Sequence, residues 1–464
     1  MEFFFKPQGV ALIGASANSH KGGFSILKNL VTGFKGCIYP VNPRYEEIEG
    51  LKCFRSVSEV PDPVDLAIIF VPAEATLAAV NECAVRGIPG VMIQSAGFAE
   101  SGDTQGKNFQ NDLKQIRQKT GMRLWGPNCM GLVDAVHGQV FSFVAPSIWD
   151  QGLVAGKVSL IVQSGMLAAG FLIDLMTHGT MGISKACSIG NKVDVDECDL
   201  LQFLIEDPET EAICLYLESI VDGKKFLEIC RRSSKPIVAL KGGKSNKGAK
   251  AAMSHTASLS GNHGVVSAAF AQAGVVEADD FRQLMDLGRT LCAYPAANFQ
   301  GAGRVAVLTF SGAAGIVSSD FIESRGLQLA ELSEGTKKDL KKIFPDWMPV
   351  SNPVDLWPAI ERNGPEVAWS RAFKAVSDDP NVDAIFFHIF VGGFSGKSDI
   401  SSLVEIARTA GKPIFGWLLG KHPEAREFMF QANQLNVPVF KEIRRAVECM
   451  AAVFRRSRYL QRGT

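Results

Sequence analysis

The chain has 464 residues, 46% of them hydrophobic, which is too long for one ordinary domain and apolar enough to fill several cores. Lys plus Arg (48) balances Asp plus Glu (48), so no charge excess points to nucleic acid or an anionic membrane surface as a partner. The ten cysteines form no C-x-x-C pair, which argues against a zinc site and against a disulfide framework.

The opening "MEFFFKPQGV" has neither the basic start nor the long apolar stretch of a secretory signal. The longest apolar runs, "LAIIFVPA" and "AIFFHIFVGG", fall far short of the ~18 residues of a membrane span. The expectation is a soluble protein of the reducing cytosol.

In chain order, one plan occurs three times. "GVALIGAS" (9–16), "KVSLIVQSG" (157–165) and "RVAVLTFSG" (304–312) are β-rich runs that end in small residues and open a helical stretch. Their first valines, Val10, Val158 and Val305, are 148 and 147 residues apart. Each copy continues with a second run ("DLAIIFVPA", "EAICLYLES", "DAIFFHIFVGG") and a third ("IPGVMIQSAG", "KPIVALKGG", "KPIFGWLLG"). A short terminal run closes each copy: "RLWGPNC", "GVVEADD" and "VPVFKEI". Continuous apolar runs suit strands buried on both faces, and the helical patterns between them imply right-handed crossovers. The fold class expected is α/β, with three consecutive doubly wound parallel-sheet domains at 1–135, 150–295 and 300–464. The joints are "HGQVFSFVAPSIWDQG" and "AYPAANFQGAGR".

Ligands of such sheets bind beyond the carboxyl ends of the strands. That rule gathers "GAS", "VPA", "SAGF" and "GPNC" on one rim, and "QSG", "ESI", "KGG" and the loop after them on another. The first turn, "GVALIGASANSHKGG", lacks G-x-G-x-x-G, and the second strand, "CIYPVNP", ends in Asn42-Pro43 where an NAD site places an acid. No G-x-x-x-x-G-K-[ST] occurs either, since Val238 stands where "GGKS" would need its first glycine. A hydride-transfer enzyme and a P-loop NTPase are both disfavoured. A different nucleotide, with its phosphates on backbone amides near Ser16, stays open. "VQSG" ends a strand and starts a helix near Gly165, so free N–H groups and the helix dipole make an anion site there, with Ser164 as a further donor.

"MSHTASLSG" (253–261) sets His255 among small residues after the lysine-studded "KGGKSNKGAK". One reading is a solvated turn histidine; the other is a mobile loop that carries a nucleophile. Together with "VALIGAS", "VPA", "GPNCMG", "IVQSG", "SIGNKVDVDECDLL", "YLESI" and "NPVDL", in this order, the stretch resembles the α subunit of NDP-forming acyl-CoA synthetases. These are relatives of succinyl-CoA synthetase, and the match is best to the ADP-forming acetyl-CoA synthetase type. The resemblance covers the whole chain. It implies a Rossmann-like CoA-binding domain followed by two flavodoxin-like ligase domains.

By the same resemblance, His255 is the phosphorylated carrier and Glu218 of "YLES" holds its imidazole. Gly14, Ser16, Asn42, Pro43, Val71, Pro72, Ser95 and Asn128 lie where the family contacts CoA. Gln163, Ser164 and Gly165, with Gly190 and Asn191 of "SIGN", would form the phosphate and acyl pocket. The implied reaction is acyl-CoA + ADP + phosphate ⇌ carboxylic acid + CoA + ATP. An ATP-grasp β subunit, in an α2β2 assembly, would carry Mg²⁺ and ADP or ATP. No protein-bound metal is expected on this chain.

The bland alternatives are specific. His263 reads as a helix-surface residue, His20 as a solvated loop residue and Cys129 as a small packing residue. Lys241, Lys244, Lys247 and Lys250 recur every third residue, either to keep a loop soluble or to steer anionic substrates. A competing function is a CoA or acyl-CoA sensor without turnover, which loss of the histidine would favour; His255 is present.

Overall fold

The computed structural model describes the chain outside residues 150–151, 179–180, 257–261, 296–302, 394–399 and 463–464, and outside the side chains of 176–178 and 252–256. The chain divides into two compact units, Met1–Leu284 and Met285–Thr464. The first unit holds two of the main sheets and the second holds the third.

The first sheet has five strands in the order Cys37–Val41, Gly9–Ile13, Leu66–Ile69, Gly90–Ile93, Arg123–Trp125, all parallel. Its inner strands are continuous apolar runs because helices cover both faces: Val10, Leu12, Leu66, Ile68, Val91 and Ile93 are all wholly buried. Each such side chain contributes roughly 1.5–3 kcal/mol of burial. The strand order reverses between Gly9–Ile13 and Leu66–Ile69, and a crevice opens at such a switch point.

The second sheet repeats that order with Ile183–Ser188, Ala155–Val162, Ala212–Leu217, Ile237–Lys241 and Val276–Glu277, again parallel. Its switch point lies between Ala155–Val162 and Ala212–Leu217. The third sheet, in Met285–Thr464, follows the same plan with Gln328–Leu329, Arg304–Thr309, Ala384–Val391, Ile414–Gly420 and Val439–Phe440. A short extra strand, Val354–Asp355, pairs with Arg304–Thr309. The threefold plan expected from the apolar runs is the plan of the molecule.

One segment departs from it. Gly131–Asp134 and Gln139–Phe141, expected at the end of the first domain and in a joint, form a hairpin added antiparallel to the edge of the second sheet. Buried charge fixes it there. Lys185, on the adjacent strand, is wholly buried; its Nζ lies 2.9 Å from Asp207, 2.7 Å from Glu209 and 3.8 Å from the hairpin's Asp134. His137, in the hairpin turn, sits 2.9 Å from Asp134 and 3.4 Å from Glu209.

The two sheets of the first unit share a core. Phe5, from the short helix Glu2–Phe5, stacks on Phe203 at 3.8 Å, and Phe4 meets Trp125 edge-on at 5.3 Å. Trp125 Nε1 donates to Ser188 O of the second sheet (2.7 Å). The amides of Asn191, Val193 and Val195 donate to the carbonyls of Pro127, Gly126 and Leu124. These bonds bring the carboxyl ends of both sheets face to face.

Candidate active site

The site is assembled from strand ends. Gly9–Ile13 ends at Gly14, whose φ is +95°. A Cβ there would lie 2.3 Å from Phe70 O and 2.8 Å from Val71 Cγ1, so only glycine lets the neighbouring strand end come this close. Asn42 Nδ2 donates to Ala15 O (2.8 Å), and Ser16 Oγ accepts from Asn18 N (3.1 Å), which shapes the turn that follows. Pro43 is exposed beside them. Across the switch point, Val71 N donates to Ser95 Oγ (3.1 Å), and Asn128 N donates to Ser95 O (2.8 Å). Asn128 adopts a left-handed conformation, φ +57°, which asparagine tolerates better than most residues.

A cavity of about 570 Å³ opens between these ends and those of the second sheet. Val71, Pro72, Ser95 and Asn128 line it from one side, and Gln163, Ser164, Gly165, Gly190 and Asn191 from the other. The structure therefore joins residues that the sequence placed on two separate rims. Gly14, Ser16, Asn42 and Pro43 are not among the lining residues; Gly14 backs the wall formed by Phe70 and Val71.

Gly165 starts the helix Gly165–His178, so its amide end faces the cavity with the helix dipole behind it. Gly190, at φ +59°, packs so tightly that a Cβ would meet Pro127 O at 2.2 Å. Asn191 is less free than a phosphate donor needs: its Nδ2 donates to Glu100 Oε2 (2.5 Å) and Gln110 Oε1 (2.9 Å). It braces the loop rather than presenting its amide.

Gln163 is buried, and its Oε1 accepts from the amides of Glu218 (2.8 Å) and Ser219 (3.0 Å). Glu218, itself buried, is thereby set directly behind the cavity. Tyr216 Oη donates to Glu218 Oε1 (3.3 Å), Lys241 Nζ donates to Glu218 O (2.6 Å), and Gly242 lies against its Cγ. Burial, with the Glu218 charge beside it, pushes the Tyr216 phenol up to about 12, so it stays a donor at neutral pH. Lys192, held at φ +57°, ties the next loop in. Its Nζ pairs with Glu197 (3.0 Å) and donates to Ser219 O (2.9 Å) and Ser219 Oγ (3.0 Å).

His255 lies in the last turn of the helix Asn246–Thr256, which abuts the Ala99–Ser101 turn. Its imidazole, the Ser254 side chain, Ala257 and Gly261 lie outside the described residues. The expectation of a loop from Lys241 to His255 is corrected: the stretch is helical from Asn246. Ser245 Oγ accepts from Gly248 N (3.0 Å) as a cap, and the alanines, lysines and methionine that follow favour helix. The reading of the lysines is corrected too. Lys241 is buried, and Lys244 pairs with Asp279 (3.0 Å) and Glu277 (3.3 Å); only Lys247 and Lys250 are exposed.

Cys129 lines the cavity but packs as expected. It is 2% exposed, its Sγ donates to Ile93 O (3.3 Å), and burial pushes its thiol up to about 12. His20 is exposed, and His263 begins the helix His263–Gln272. Sequence reasoning missed Gln94 and the apolar wall of Phe70, Met130 and Phe143 in the cavity, and, behind it, Lys192 and the inward turn of Lys241. Gln94 in particular carried a signal: it precedes Ser95 at the end of a buried strand.

Residues 8–135 match a family described as CoA binding domain, and residues 155–291 match succinyl-CoA ligase like flavodoxin domain. Over 95% of the chain it is 36% identical to acetate–CoA ligase (ADP-forming) II subunit alpha of Pyrococcus furiosus, covering 94% of that protein. The chain belongs to the ADP-forming acyl-CoA synthetase family. It is also 36% identical, over 97% of its length, to acetate–CoA ligase (ADP-forming) II of Archaeoglobus fulgidus, of which it spans 66%. Among solved structures, the dinucleotide forming acetyl-coenzyme A synthetase 1 of Ca. Korarchaeum cryptofilum, in complex with phosphate and ADP, superposes with a TM-score of 0.88 at 31% identity. That match covers 100% of this chain and 98% of the other. Members of this family are acid–thiol ligases. No helix among the described residues is long and apolar enough to cross a membrane.

Proposed function

We propose that the chain is the α subunit of an acid–CoA ligase that interconverts acyl-CoA, ADP and phosphate with a carboxylic acid, CoA and ATP, in the cytoplasm. The observation that carries this reading is the single cavity that joins the CoA-side strand ends to the helix N-terminus at Gly165. The residues present suit CoA. Gly14 and Gly190 let the strand ends that wall the cavity pack closely, and the buried Gln94 Oε1 has no partner among the described residues.

In this reading Gly14, Ser16, Asn42, Pro43, Val71, Pro72, Ser95 and Asn128 hold CoA. Gln163, Ser164, Gly165, Gly190 and Asn191 build the phosphate and acyl pocket. A phosphate oxygen attacks the thioester carbonyl; the C–S bond breaks, CoA leaves with the proton, and an acyl phosphate remains. A ring nitrogen of His255 then attacks phosphorus, the P–O bond to the acyl group breaks, and the carboxylate departs. Glu218 accepts the N–H of the other ring nitrogen, which fixes the tautomer and stabilises the positive ring as the bond forms.

The phosphoryl group passes to ADP on an ATP-grasp β subunit that carries Mg²⁺, in an α2β2 assembly. The functional division proposed is 1–135 for CoA, 150–295 for phosphoryl transfer and 300–464 for a second ligase-like domain. The test is to incubate the chain with acyl-CoA and labelled phosphate. Acid-labile label should appear on wild type and vanish in His255→Ala, with CoA affinity kept. Equal labelling of the variant overturns the relay.

A further inference from the structure

Lys241 is a buried cation that makes no close ion pair among the described residues, although the Glu218 charge acts on it. It ends the Ile237–Lys241 strand, is 5% exposed, and its Nζ donates to two main-chain carbonyls, those of Glu218 (2.6 Å) and Gly242 (2.6 Å). Among the described residues no carboxylate lies within the 4.0 Å of an ion pair. Lys185 and Lys192, whose side chains are equally enclosed, both have one. A buried charge is ordinarily paired, because removing it from water is costly. Lys241 is held instead by main-chain carbonyls, with only the Glu218 charge near it, which suits it to answer an anion that comes and goes beside Glu218.

The groups around it say where that anion sits. Glu218 and Tyr216 face Lys241 from the neighbouring strand end, and Lys192, already neutralised by Glu197, approaches from the Gly190–Lys192 loop. On the other side, beyond Val276–Glu277, Glu277 and Asp279 pair with Lys244, and His263 Nδ1 lies 3.7 Å from Glu277 Oε1. Burial depresses the Lys241 pKa, the Glu218 charge opposes that shift, and Lys192 adds to it. Counting Lys192, Glu197, Lys241 and Glu218 gives zero net charge. A phosphoryl group brings about −1.5 to −2 beside a carboxylate that repels it.

We propose that Lys241 is a charge-compensating positioning residue: its ammonium offsets the negative charge gathered when a phosphoryl group is held next to Glu218, while its hydrogen bonds fix the main chain at Glu218 and Gly242. The proposal rests on the relay reading of His255 and Glu218. It also explains why the "KGG" that leads into the His255 helix begins with a lysine turned inward.

The test compares wild type, Lys241→Arg, Lys241→Gln and His255→Ala for labelling by phosphate in the presence of acyl-CoAs from acetyl-CoA to phenylacetyl-CoA. Glutamine keeps a donor for the carbonyls but loses the charge; arginine keeps both. Labelling is expected close to wild type in Lys241→Arg and lower by roughly 10-fold or more in Lys241→Gln, with CoA affinity unchanged in both. Over roughly pH 6 to 10, wild-type labelling should fall on an alkaline limb below the ordinary lysine range, and Lys241→Arg should lack that limb. Lys241→Gln labelled like wild type while His255→Ala is blank overturns the Lys241 role alone. Should Lys241→Gln not fold, an alkaline limb shared by wild type and Lys241→Arg overturns it as well. Label on His255→Ala equal to wild type overturns the relay reading and this role with it.

Discussion

Gln94 lies at the end of the Gly90–Ile93 strand with half of its amide in use. Its Nε2 donates to Phe141 O (2.8 Å), which fixes the amide's orientation, because a carbonyl needs a donor opposite it. That leaves Oε1 as an acceptor, buried, without a partner among the described residues, in a side chain that lines the cavity. CoA carries amide N–H groups that can supply the missing donor. Gln94→Met should therefore weaken CoA binding by about 0.5–1.5 kcal/mol, the net worth of one hydrogen bond. Calorimetric titration decides it: an unchanged CoA affinity in a variant that melts lower would mean that Gln94 only braces Phe141. Gln94 carried only a positional signal beside Ser95, because its importance lies in an unmet hydrogen bond, and no spacing rule displays one. Lys241 hid for a related reason. A lysine every third residue reads as a solvated face, yet the first of the four ends a strand that points its side chain inward. His255 and Glu218 were legible only through resemblance, since a lone histidine among small residues fits a surface turn equally well.

At the level of elements, the runs that begin near Val10, Val158 and Val305 were readable because strands buried on both faces must be apolar throughout, and small residues must follow where the chain turns. The Gly131–Phe141 hairpin was not readable. Its place on the second sheet depends on pairing with Ile183–Ser188 and on Lys185, some fifty residues away, and local pattern says nothing of either. The third sheet carries a polar element of its own. His388, on Ala384–Val391, is wholly buried between Thr309 Oγ1 (2.9 Å from Nδ1) and Ser318 Oγ (3.1 Å from Nε2). Thr309 Oγ1 donates to Ser311 O, so it accepts from Nδ1–H, and Ser318 donates to Nε2. The neutral ring is thus matched on both sides, and burial pulls its pKa down to about 3 from 6.5. The unfolded chain takes up a proton near 6.5 that the folded chain refuses, so this unit is at full stability above that value. It should lose up to about 1.4 kcal/mol per pH unit as pH falls from there toward about 3. Thermal melts at neutral and mildly acidic pH check this: His388→Gln should lower the neutral melting temperature yet flatten its acid dependence. A variant with the wild-type acid slope would place the sensitivity elsewhere.

For the molecule as a whole, the division into Met1–Leu284 and Met285–Thr464 separates what the proposed chemistry needs from what it does not use directly. Every residue that lines the cavity belongs to the first unit, and so do Glu218, Lys192, Lys241 and the helix that carries His255. That unit also has its own core, in which Phe4, Phe5, Trp125 and Leu215 join the two sheets, and its ladders close without any strand from the second unit. A fragment of residues 1–284 should consequently fold, bind CoA with the affinity of the full chain and accept label from phosphate and acyl-CoA at a similar rate. ADP-dependent formation of ATP is a different matter, since the relatives named as alpha subunits imply a partner, and the proposed nucleotide site is on that partner. Full chain and fragment alone should both fail to make ATP, and the β subunit should restore activity to the full chain. Restoring it to the fragment equally would show that Met285–Thr464 has no part in docking the partner. A fragment that folds but binds no CoA would show that the first unit does not hold a complete site.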